Sequence, residues 1–182
     1  GCDRWHCLCD GTGVELIDSN GITLVAGTDT MRHTQYLNNL LHGETVTFSV
    51  LVTAVTGKSY LYIWAETDGV ATSVATTKFT ETGCISITGT IPDNATKVYA
   101  RVQPNKIEGD AVTVKAAKIE LGTQQTLAHL ENGDWVLNDP LPDKQMETLK
   151  CCMSKADPTD TYANGNNYTS LGIHFLIYHR FQ

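Results

Sequence analysis

The chain has 182 residues, 41% of them hydrophobic and only 18% charged, enough apolar material for one sizeable core or for one domain with a small appendage. Its formal net charge of −7 sets it against nucleic acid and anionic lipid as partners, and no apolar run is long enough to cross a bilayer as a helix. Thr, Gly, Val and Asn take the place of the missing charges, and they suit strands and turns better than helices.

The opening stretch GCDRWHCLCD has no basic region followed by an apolar one, so it does not read as a signal peptide. It starts on Gly1 rather than Met, which suggests a segment of a longer polypeptide or a leftover residue at the start. Six cysteines are present: Cys2, Cys7, Cys9, Cys84, Cys151 and Cys152. The even number raises the question of disulfides, but a chain of this size does not need staples. The adjacent Cys151 and Cys152 are poorly placed to bond each other. Cys7-Leu8-Cys9 beside His6 is a faint metal signal, set against unbonded thiols, because no Cys-x-x-Cys knuckle occurs. A reducing site of synthesis accounts for such cysteines. Trp5 is expected to be buried, with Arg4 tied to a carboxylate or carbonyl.

From Gly13 to Leu121 one strand pattern follows another. GVELID and ITLVAG alternate on either side of Ser19-Asn20-Gly21, a strong hairpin signal. MRHTQYLNNLL lacks a helix cap and reads as a strand ending in a loop. ETVTFSVLVTAV is a long strand with Val46, Phe48, Val50 and Val52 on one face. SYLYIWAET follows Gly57-Lys58, then VATSVATTKFT and CISITGTI. After the turn at Pro92-Asp93-Asn94, KVYARVQP turns Val98, Ala100 and Val102 inward and Tyr99, Arg101 and Gln103 outward. AVTVKAAKIELG closes the series. Eight or nine strands at short spacing, with no amphipathic helix among them, predict an all-β, jelly-roll-like β-sandwich over residues 1–122.

Beyond Gly122 the texture changes, and residues 123–182 read as a small C-terminal extension of connector, helix and closing strand. TQQTLAHLENGDWVLND holds Asn132-Gly133 and reads as a hairpin or extended connector. DKQMETLKCCMSKAD is the one helix candidate, near 143–154, with Met146, Leu149, Cys152 and Met153 on one face. LGIHFLIYHRF is an apolar closing strand that needs a partner.

Several stretches in this order resemble a family of bacteriophage and prophage tail-fibre or tail-appendage proteins. They are Asp3-Arg4-Trp5, the hairpin GVELIDSNGITLV, Gly43-Glu44-Thr45-Val46-Thr47, and Lys118-Ile119-Glu120-Leu121-Gly122, spread over residues 3 to about 152. The family helix usually continues Cys-Gln-Arg-Tyr-Tyr, where this chain has Cys151-Cys152-Met153-Ser154-Lys155. The resemblance implies a virion component, made in the bacterial cytoplasm and carrying a sandwich like those of carbohydrate-binding modules. It also implies a homo-oligomer, a trimer, among other tail proteins.

Enzymatic signatures are absent: no Gly-rich phosphate loop, no G-x-S-x-G elbow, no H-E-x-x-H. Glu66 and Asp68 are the carboxylates best placed for glycoside cleavage, against the plainer reading of two solvated groups at a strand end. A structural calcium ion takes six to eight oxygen ligands, and Asp10, Asp18, Asp110 and Glu120 sit near strand ends where such a site could form. The most informative stretch is SYLYIWAE. As a strand it points Leu61, Ile63 and Ala65 one way and Tyr60, Tyr62 and Trp64 the other. With the aliphatic face inward, the rings share the opposite face with Tyr99, Arg101 and Gln103. That set suits a sugar, whose C–H faces stack on rings while polar groups bond its hydroxyls. The opposite register, with the rings inside, is also open.

Three functions follow from different classes. The first is host attachment through a bacterial cell-surface glycan. The second is a purely structural virion domain with no ligand, its rings packed against a neighbour. The third is an accessory module or fragment of a glycan-degrading depolymerase.

Overall fold

A computed structural model describes residues 5–9, 13–18, 20–28, 31–37 and 41–138, with backbone alone for 5–9, 17, 18, 33, 35 and 36. The helix expected near 143–154 and the closing strand at 171–181 lie outside the described residues, as does Arg4. So does the side chain of Trp5.

The described chain is made of strands: β1 (Trp5–Cys9), β2 (Val14–Asp18), β3 (Gly21–Val25), β4 (Met31–Leu37), β5 (Thr45–Thr56) and β6 (Ser59–Thr67). Then come β7 (Val70–Phe79), β8 (Gly83–Thr90), β9 (Lys97–Pro104), β10 (Ala111–Leu121), β11 (Ala128–Glu131) and β12 (Asp134–Leu137). Ten of them form two five-stranded sheets, in the orders β1-β4-β9-β6-β7 and β2-β3-β10-β5-β8. Every pairing among the described residues is antiparallel. The jelly-roll-like β-sandwich expected from alternation is the fold observed, with nine strands between Gly13 and Leu121 and β1 as an addition.

The core fills the space between the sheets. Val46, Phe48, Val50 and Val52 of β5 face Leu61, Ile63 and Ala65 of β6 and Val98, Ala100 and Val102 of β9, all at 2% exposure or less. Period-two alternation puts these residues on one face of each strand, and their β-branched side chains fit the pleated surface. β10 breaks the period. Its pairing with β5 slips between Thr113 and Val114 and again between Val114 and Ala116. Lys115 bulges out, so Val112 and Val114 point to the core, and beyond it Ala117 and Ile119 do.

Two turns follow the chemistry of their residues. Asn132 and Gly133 join β11 to β12 with φ of 52° and 92°, as a two-residue turn with both central residues left-handed demands. Asp68 and Gly69 do the same between β6 and β7, at 52° and 78°. Gly21 differs from expectation. It pairs with Asp18 as the first residue of β3, so it stands in the ladder and not in the loop. Glycine is required there because a Cβ would lie 2.1 Å from the carbonyl oxygen of Val114.

β11 and β12 fold back on the outer face of the second sheet. Leu127 and Ala128 pack on Leu51 and Ala116, with Cys84 and Leu137 beside them. The Trp135 indole lies over Gly83, where a Cβ would come within 2.8 Å of its nitrogen. A polar clasp ties the segment down. The Gln125 side-chain oxygen accepts from the backbone N–H groups of Leu127 (3.0 Å) and Ala128 (3.3 Å) and from the Cys84 thiol (3.4 Å). Glu120 accepts from Thr126 N (2.8 Å) and pairs with Lys118 (3.1 Å).

Candidate functional site

The aliphatic face of β6 is inside, with Leu61 at 0% and Ile63 at 1% exposure. Tyr60, Tyr62 and Trp64 therefore stand on the outer face of the first sheet, each half-buried. Pairing sets the rows across this face. Tyr60 lies opposite Gln103, Tyr62 opposite Arg101, and Trp64 opposite Tyr99. On the other side, Tyr60 lies opposite Lys78, Tyr62 opposite Thr76, and Trp64 opposite Ser73. All six residues singled out from the sequence are thus brought onto one surface by a single register.

The rings form a continuous row. The Tyr60 and Tyr62 centroids are 5.9 Å apart with planes 20° from parallel, Tyr62 and Trp64 are 5.7 Å apart at 37°, and Trp64 and Tyr99 are 6.3 Å apart at 10°. The Arg101 guanidinium sits 5.1 Å from the Tyr99 ring centre and 5.8 Å from that of Trp64, within reach of cation–π attraction. Its Nε donates to the hydroxyl of the fully buried Thr34 at 3.3 Å. The guanidinium is held from two sides in the middle of the row.

The six are not equally accessible. Tyr99 and Gln103 face outward yet are only 8% and 9% exposed, because β9 is the central strand and large neighbours lean over it. They back the surface, while Tyr60, Tyr62, Trp64 and Arg101 form it. Burial pushes the Tyr62 phenol above its ordinary pKa, with Tyr60 adding to the shift and Arg101 and a hydrogen bond with Thr76 opposing it. The phenol stays a neutral donor at physiological pH. The indole N–H of Trp64 is buried and meets no acceptor among the described residues.

Thr34, Thr76, Lys78 and Arg32 belong to this face and were not singled out in the sequence. Arg32 and Thr34 show the same alternation along β4 that marks the residues of β9. What the sequence lacked was the neighbour relation of β4 to β9, a pairing across more than sixty residues.

Of the oxygen ligands considered for calcium, Asp110 and Glu120 are not brought together. Asp110 and Glu120 lie at opposite ends of β10, roughly 30 Å apart along an extended strand. Asp110 accepts from Lys58 N at 3.3 Å, and Glu120 belongs to the clasp on the other sheet. Asp10 and the side chain of Asp18 lie outside the described residues. Among the described residues no three His, Cys, Asp or Glu side chains converge. Glu66 pairs with Lys97 at 3.1 Å, and Asp68 occupies a left-handed turn position.

The sandwich is similar to those of carbohydrate-binding modules. The paired family 22 module and glycosidase of Clostridium thermocellum xylanase 10B, solved with xylohexaose, matches 71% of this chain and 28% of its own at 15% identity, with a TM-score of 0.51. That likeness is one of fold. A family 4 carbohydrate-binding module matches 67% of this chain and 81% of its own at 13% identity and a TM-score of 0.47. The enzymatically active domain of bacteriophage CBA120 tailspike protein 4 matches 66% and 20% at 12% identity, with a TM-score of 0.46. No protein-family model and no curated protein matches the sequence.

Proposed function

We propose that this chain is a non-catalytic glycan-binding module of a bacteriophage tail fibre or appendage, which attaches the virion to a bacterial cell-surface glycan. The observation that carries the binding reading is the row of half-exposed rings with a positioned guanidinium at its centre. Exposed aromatic rings stack on the C–H faces of sugars, and the Arg101 fork and Tyr hydroxyls bond their oxygens. A binder also fits the state of the nearby carboxylates, since Glu66 is engaged by Lys97 and Asp68 serves a turn. The phage setting, the trimer and the neighbouring tail proteins rest on the sequence resemblance. A monomer in light scattering at high concentration would remove the trimer from the proposal.

Screening the chain on a bacterial glycan array tests the reading. Binding is expected, and Trp64→Ala is expected to lower it at least about tenfold while the circular-dichroism spectrum stays that of a β-sandwich. No bound glycan, together with loss of the fold in Trp64→Ala, would assign the rings to packing.

A further inference from the structure

The whole chain has 13 Lys and Arg against 20 Asp and Glu. Among the described residues the outer face of the first sheet reverses this balance. Among the described residues that face carries Arg32, Lys78, Lys97 and Arg101 and a single carboxylate, Glu66. The charges are also sorted along the row of rings. Glu66 and Lys97 neutralise each other beyond the Trp64 end. Lys78 stands opposite Tyr60 on β7 at one end of the row, and Arg101 stands opposite Tyr62 on β9 with its guanidinium leaning over Trp64 and Tyr99 in the middle. Two interstrand spacings and one two-residue step separate them, roughly 12 Å at the backbone.

Accepting the glycan-binding reading above, we propose that its ligand is an anionic glycan, a polysaccharide whose sugars carry carboxylate or phosphate groups, with Lys78 at the Tyr60 end and Arg101 in the middle of the row of rings recognising the charge. Cations concentrated on one face of an acidic protein attract a ligand of opposite sign to that face alone. Arg101 adds geometry, because a guanidinium held by Thr34 and two rings is already ordered before a ligand arrives. Lys78 is exposed on an edge strand and acts as a mobile point charge. The chemistry also separates this ligand from nucleic acid, which could stack on the same rings. A nucleic acid carries a charge on every unit, and the surrounding acidic surface repels it. A glycan with spaced acidic groups meets only the two cations along the row.

Calorimetry on the full chain with four probes decides the matter: hexagalacturonic acid, a phosphomannan oligosaccharide, neutral xylohexaose and a single-stranded oligonucleotide. One or both anionic oligosaccharides are expected to bind about tenfold more tightly than xylohexaose at low ionic strength, and high salt should erase most of that advantage. The arm that binds identifies the anion. Lys78→Glu, at a position the fold tolerates, is expected to cut the anionic affinity about tenfold. Equal, salt-independent binding of neutral and anionic oligosaccharides would overturn this inference and leave the glycan-binding reading standing. Binding of no oligosaccharide overturns both. An oligonucleotide that binds more tightly than either anionic probe overturns the choice of ligand.

Discussion

The outer faces of the two sheets solve the same problem in opposite ways. On the second sheet the outward-facing positions beneath β11 and β12 are small or modest: Leu51, Cys84 and Ala116. A short hairpin of the same chain lies down on them, and Leu51 and Ala116 fall to 4% and 2% exposure. On the first sheet the corresponding positions are Tyr60, Tyr62, Trp64 and Arg101, which fill space themselves and remain half-exposed. Small residues make a flat bed on which the protein's own backbone can rest. Large aromatic residues make a ridged surface that must find its complement elsewhere. An apolar outer face is therefore not one kind of feature: side-chain size decides whether it is the seat of a strap or a surface left for a partner.

That contrast can be broken by experiment. Leu127→Ala empties the small core under the hairpin and should cost about 3 kcal/mol, as buried leucine truncations do, read from the urea midpoint. Trp64→Ala removes a larger side chain from the other face, yet should cost only about 1 kcal/mol, because much of the ring already meets water. Equal costs would make the aromatic row a packing element like the hairpin.

Cys84 sharpens the comparison from the covered side. Burial beneath the hairpin pushes its thiol up from 9.0 to about 11. The unfolded chain loses this proton near 9.0 while the folded chain keeps it until about 11. The stability tied to Cys84 is therefore fully present below pH 9 and lost as pH rises toward 11. Cys84→Ser should flatten that part of the stability curve relative to the parent chain, measured by thermal melts across the window. The smallest effect belongs to the exposed end of the aromatic face. Lys97→Ala breaks a pair whose lysine is 55% exposed and should cost no more than about 0.5 kcal/mol. A larger loss would mean that Lys97 organises the row of rings.

What could be read from the sequence follows its local period. The two faces of β6 and the split of β9 into Val98, Ala100 and Val102 against Tyr99, Arg101 and Gln103 came from alternation alone, since pleat geometry fixes them residue by residue. Asn132-Gly133 makes a hairpin one of the two readings of its stretch for a similar reason, because both central positions of such a turn need positive φ. The remainder depended on relations between distant segments. No local pattern marks the bulge at Lys115, which turns Ala116 toward the hairpin and Ala117 toward the core. Gly57-Lys58 looks like the tip of a hairpin but carries the chain from β5 in one sheet to β6 in the other. Gly21 serves a close approach to β10 rather than a turn, and only the folded pair can show that. Proximity to a strand end grouped Asp110 with Glu120, although the strand between them holds them far apart.

The strand order has a consequence for how such a chain comes into being. β9 sits between β4 and β6, and β10 between β3 and β5, so the middle of each sheet is supplied by the last two strands of the sandwich. Before residue 97 leaves the ribosome, only four separate strand pairs can form: β1 with β4, β2 with β3, β5 with β8 and β6 with β7. Each pair exposes the edge that β9 or β10 will later occupy, and such edges invite pairing with other chains. Contacts such as that between Thr23 and Thr113, 90 residues apart, repay their loop-closure cost only at the end, which makes folding slow and concerted. Synthesis thus leaves the nascent chain open to misassembly until its final strands arrive and close both layers together.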